Sequence, residues 1–179
     1  PKCHNDTNGV VVVNGTGGLS PYTYAIGSGA FGSANTFNSQ GSGLQTFKVR
    51  DSNYCVKDTL IMIPNPPKVG ADVIINKPPC NYYNSGEITI TGKNTVAPYT
   101  YAFGAGSFSA VNVFSGLFSG SYSITVKDSN SCILDTLVVL PDSVKVNATA
   151  LLTHILCNSD STGAITLNAS GATAPYRYQ

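Results

Sequence analysis

Five cysteines, two histidines and one glutamate are the side chains of this sequence best suited to reactive chemistry, and their spacing separates them into two groups. His4, His154 and Glu87 are isolated, whereas an active site needs titratable groups that converge. A histidine next to Cys3 suggests a metal pair, but the positions 77 residues further on are Asn81 and Asn158, which favours a surface histidine. Asp51-Ser52-Asn53 and Asp128-Ser129-Asn130 offer oxygens of the kind calcium uses. That ion takes six or more ligands, and Asp and Asn are ordinary turn formers. No catalytic residue, metal site or cofactor is expected.

The cysteines behave differently. Cys3, Cys80 and Cys157 stand 77 residues apart, and so do Cys55 and Cys132. The same register carries Pro21-Tyr22-Thr23-Tyr24 onto Pro98-Tyr99-Thr100-Tyr101 and onto Pro175-Tyr176-Arg177-Tyr178, and it aligns Gly9, Gly86 and Gly163. Regular cysteines suit an oxidising compartment, so all five are expected to be oxidised in the intact array, with Cys157 paired to a residue beyond Gln179 or left open by truncation. Two connectivities fit. Cys3 with Cys55 and Cys80 with Cys132 would close equal loops inside units, each worth roughly 4 kcal/mol by chain entropy. Cys3 with Cys132 would instead join neighbours. In a seven-strand sandwich the first turn and the last hairpin lie at opposite poles, which favours the second. Autonomous modules usually hold their own disulfides, which favours the first, and the within-unit pairing is preferred with the other left open.

The elements that must position these residues are strands. Apolar runs of strand length recur at Val10 to Val13, Ile88 to Ile90, Gln45 to Val49, Tyr122 to Val126, Leu60 to Ile63 and Leu137 to Leu140, punctuated by Gly, Ser and Asn clusters. Helical spacing is absent. A 77-residue period exceeds that of most solenoids, so each unit should be a bead with its own core. The expected fold class is all-β, as tandem immunoglobulin-like or fibronectin-III-like antiparallel β-sandwich repeats. Pro64-Asn65-Pro66-Pro67 and Pro141-Asp142 end pairing, dividing the chain into repeat 1 (1–64, lacking its first strand), repeat 2 (65–141, complete) and repeat 3 (142–179, the N-terminal part). Pro1 and Gln179 read as the bounds of an excerpt. The spacing of Leu117, Gly120 and Tyr122 is that of a tyrosine corner. Gln45 occupies the place of Tyr122 in repeat 1, so that anchor is expected to be missing there. The Pro-Tyr-x-Tyr tyrosines are read as core residues in preference to a sugar-stacking platform.

Charged residues make up 11% of the chain and the formal net charge is +1, which favours neither nucleic acid nor an anionic membrane as partner. No apolar run approaches the roughly eighteen residues of a spanning helix, so membrane insertion is not expected.

A cysteine, a glycine and an alternating strand, followed by Gly17-Gly18-Leu19-Ser20-Pro21-Tyr22-Thr23-Tyr24 and closed by a block such as Gly120-Ser121-Tyr122-Ser123-Ile124-Thr125-Val126-Lys127-Asp128-Ser129-Asn130-Ser131-Cys132, resembles the SprB-type repeat of gliding Bacteroidota. Two departures stand out. Asn94-Thr95 replaces the glycine pair in repeat 2, and the usual glycine before the late cysteine is Tyr54 or Ser131. The resemblance implies export by the type IX secretion system, display at the extracellular cell surface, and a structural or adhesive role as a filament or stalk in adhesion or gliding motility. The implied partners are neighbouring repeats, with surface polysaccharide or substratum as ligand. A carbohydrate-binding or accessory region of a secreted enzyme is the alternative. The same lineage implies O-glycosylation at Asp-(Ser/Thr)-apolar triplets, which places candidate glycans on Thr59, Thr136 and Ser143, with Ser161 as a looser match.

Overall fold

A computed structural model describes residues 1–80, 84–159 and 161–179, and every regular element in it is a strand. Repeat 2 holds β6 (Gly70–Asn76), β7 (Gly86–Lys93), β8 (Thr100–Phe103), β9 (Val113–Leu117), β10 (Gly120–Lys127) and β11 (Ile133–Leu140). They form two antiparallel three-stranded sheets, ordered β6-β7-β9 and β11-β10-β8. Alternation explains the packing. In β7 the buried positions are Gly86, Ile88, Ile90 and Gly92, and in β10 Ile124 and Val126 are fully covered. With Val69, Tyr101, Val138 and Leu140 they build one core between the sheets, against which Phe114, Leu117 and Tyr122 pack.

Repeat 1 repeats this plan with β1 (Gly9–Val12), β2 (Thr23–Ile26), β3 (Thr36–Gln40), β4 (Gly43–Arg50) and β5 (Val56–Ile63), in sheets β1-β3 and β2-β4-β5. Among the described residues it has no counterpart of β6. The inner face of β1, β4 and β5 therefore lines an open cleft that includes Val13, Val49, Thr59 and Ile61. Repeat 3 contributes the hairpin of β12 (Val146–Thr153) and β13 (Ala164–Gly171), the equivalents of β6 and β7. Strands β3 and β9 are absent from the sequence reading. Their segments, Thr-Phe-Asn-Ser-Gln and Val-Phe-Ser-Gly-Leu, are only five residues long and lack a clean alternation.

Strand direction fixes where each turn lies. From β8 the chain turns back, and Ser109 bridges Tyr101 antiparallel, so this short return acts as an extra strand before β9. As a consequence the turn after β6, carrying Cys80, and the β10–β11 turn, carrying Cys132, lie at opposite poles of the sandwich.

Candidate functional site

The β10–β11 turn is built around Asp128. Its Oδ1 accepts the Cys132 N–H at 2.8 Å, while Asp128 N–H donates to the Cys132 carbonyl at 3.0 Å. Ser131 is held at φ +69° between them. Repeat 1 builds the same turn: Cys55 N–H donates to Asp51 Oδ1 at 2.8 Å, and Tyr54 sits at φ +67°. Left-handed backbone is costly for any residue with a Cβ, and both units place such a residue there. The Cys55 N–H and then the Leu19 N–H, both donating to the Asp51 carboxylate, hold its pKa below the ordinary 3.8.

This turn presents Cys132 to the neighbouring repeat. Cys3 and Cys132 form a disulfide with Cα atoms 5.5 Å apart, which corrects the preferred within-unit pairing of Cys3 with Cys55 and of Cys80 with Cys132. Pole position overrides loop length, since a bridge needs Cα atoms within about 7 Å. Cys55, Cys80 and Cys157 carry free, exposed thiols.

Hydrogen bonds reinforce the junction. His4 Nδ1 bonds the Pro66 carbonyl at 2.9 Å, and because that oxygen only accepts, Nδ1 carries the proton. The Asn5 N–H donates to Asn65 Oδ1, and the Asn65 amide donates back to Asn5 Oδ1, both at 2.9 Å. The linker that ends repeat 1 is thus tied to the same turn that carries Cys3. At the next boundary the Ser143 hydroxyl donates to the Pro78 carbonyl, and Ser143 is buried.

The tyrosines fasten each unit internally. The hydroxyl of Tyr22 donates to the Gly17 carbonyl, that of Tyr99 to Thr95 at 2.8 Å, and that of Tyr176 to Gly171 at 3.0 Å. The second tyrosine of each motif accepts a backbone N–H nine residues upstream, from Gly15 to Tyr24, Gly92 to Tyr101 and Ala169 to Tyr178. These hydroxyls stitch the end of one strand to the entry of the next. The Tyr122 hydroxyl donates to the Phe118 carbonyl at 2.7 Å. In repeat 1 the anchor expected to be missing is supplied by Gln45, whose amide donates to the equivalent Gly41 carbonyl at 3.0 Å. An amide reaches the same carbonyl but leaves Gln45 Oε1 buried without a partner. No sequence rule for tyrosine corners would have found it.

Of the candidate glycan acceptors, Thr136 lies opposite the fully buried Ile124, in the inward register of Val138 and Leu140, and is half-buried. Thr59, its equivalent, is exposed in the open cleft of repeat 1. Ser143 has its hydroxyl engaged and buried. Ser161 is exposed, while Asp160 of its triplet lies outside the described residues. Among the described residues no three His, Cys, Asp or Glu side chains gather as metal ligands, and no helix is long and apolar enough to cross a membrane.

The last segment of the chain holds most of β12, all of β13 and the third Pro-Tyr-x-Tyr motif with both of its tyrosine hydrogen bonds. Residues 149–179 match the SprB repeat. The 77-residue register relates the tyrosine motif of this matched segment to those of both earlier units, where the same tyrosine bonds recur. No curated protein and no solved structure matches the chain.

Proposed function

We propose that this chain is part of the repeat region of a secreted surface adhesin, in which SprB-type sandwiches form an extended filament or stalk for attachment or gliding. One observation carries the reading: consecutive units meet head to tail through a covalent bond and a set of linker hydrogen bonds. Joined in this way, sandwiches transmit force along their array rather than pivoting freely on a linker. Cys3, Cys132 and His4 are engaged at this junction, and the hydroxyls of Tyr22, Tyr99 and Tyr176 are committed to backbone carbonyls. The match to the SprB repeat supports an extracellular position.

The test is deletion of the repeat region from the native gene, with attachment and gliding on glass and on polysaccharide-coated surfaces as readouts. Protease shaving of intact cells checks display. Loss of attachment with normal growth is the expected result. Retained attachment combined with lost hydrolysis of a secreted polysaccharide substrate would replace the adhesin reading with an accessory region of an enzyme.

A further inference from the structure

The Cys3–Cys132 bond joins two different positions of the repeat: the turn after the first strand in one unit and the last hairpin turn of the next. These turns lie at opposite poles of a sandwich, so the bond is head to tail and leaves each unit with a complementary position at its other end. The remaining cysteines fall on those complementary positions. Cys80 and Cys157 are the counterparts of Cys3, Cys55 is the counterpart of Cys132, and all three are exposed thiols. Cys55 is also presented as Cys132 is, by an Asp carboxylate holding its N–H at 2.8 Å and a left-handed residue just before it.

We propose that Cys55, Cys80 and Cys157 are half-staples of a continuous disulfide ladder, each bonding the complementary cysteine of an adjoining repeat across the same separation of 129 residues that links Cys3 to Cys132. Each rung forms when two thiols lose two protons and two electrons to the disulfide of a thiol oxidoreductase or to oxidised glutathione, which is released as two thiols. The inference concerns how the array is linked and not what it adheres to, so a failure of surface binding leaves it standing.

A ladder changes how the array bears load. The taut covalent route along one repeat then runs through a rung to Cys132 and back along the chain to Cys80, a path of 52 residues in place of 77. Within-unit bonds would instead short-circuit 52 residues and leave 25. At roughly 3.5 Å per extended residue the three arrangements give fully stretched lengths of about 180 Å for the ladder, about 270 Å without bonds and about 90 Å for within-unit bonds.

The experiment stretches the native full-length protein by single-molecule force spectroscopy, before and after reduction, and reads the contour length per unfolded repeat. About 180 Å rising to about 270 Å on reduction is the expected result. About 270 Å in both states, or about 90 Å before reduction, overturns the proposal. Peptide mapping of the same oxidised sample must link each late cysteine to the early cysteine of the preceding unit, and linkage within a unit overturns it as well. Contour length counts residues and not stability, so a protein that loosens on reduction still gives a decisive answer.

Discussion

Backbone conformation at single residues explains where this chain departs from its own pattern. Tyr54 and Ser131 occupy left-handed backbone that glycine adopts without cost. Tyr54→Gly and Ser131→Gly should each raise stability by about 1 kcal/mol, read from the denaturation midpoint. Tyr54 also lies 5.2 Å from the Arg50 guanidinium, but that exposed contact is worth less than the strain it accompanies. Asn94, at φ +72°, takes the place of Gly17 at φ +75°, and asparagine tolerates that region better than most residues. Asp51 gives a pH dependence with a defined sign. Its folded pKa is depressed below 3.8, so the stabilisation it brings is present above that value and lost as the pH falls through the lower folded value. An acid titration of Asp51→Asn should therefore show a smaller loss of stability below about pH 4 than the parent chain. An unchanged acid limb would mean that the Asp51 turn contributes nothing there.

At the scale of elements, tyrosine hydroxyls and close-packed glycines hold strand to strand. A Cβ on Gly92 would lie 2.5 Å from the ring of Tyr99, and one on Gly86 would lie 2.5 Å from Leu140 Cδ2. Gly92→Ala should cost about 1–3 kcal/mol, because the ring has to leave the loop carbonyl it bonds. The corner at the start of β10 permits a paired test. Tyr122→Phe keeps the ring and should lose about 1 kcal/mol with the hydrogen bond, while Gln45→Tyr in repeat 1 should gain a similar amount by relieving a buried amide oxygen. Thermal unfolding of each variant measures both. A loss at Gln45→Tyr would show that the partly covered pocket in repeat 1 has no room for the ring.

For the whole molecule, the disulfide spans parts of two units and closes a loop of 129 residues. In the chain-entropy account a loop of this length contributes up to about 5 kcal/mol. Cys132→Ser should therefore lower the unfolding midpoint of the chain clearly, whereas Cys55→Ser, which removes an exposed free thiol, should leave it unchanged. Equal midpoints for the two variants would show that the junction adds nothing to folding.

The sequence by itself determined the period, the all-β class and the turn chemistry, because these are written in local residue types and in identities 77 positions apart. The Pro-Tyr-x-Tyr motif and the Asp-Ser-Asn turns could be read for the same reason: each forms within a few residues of its own chain. The tertiary structure alone decided the disulfide partner, the rescue of the corner by Gln45 and the inward register of Thr136. Each of these depends on which pole or face a residue reaches after several strand reversals. The short β3 and β9 and the one-residue bridge at Ser109 set that outcome without leaving a hydrophobic period to read. Loop entropy is nearly indifferent between partners 52 and 129 residues apart, so only the strand path, which carries Cys3 to one end of its sandwich and Cys132 to the facing end of the next, selects the bond.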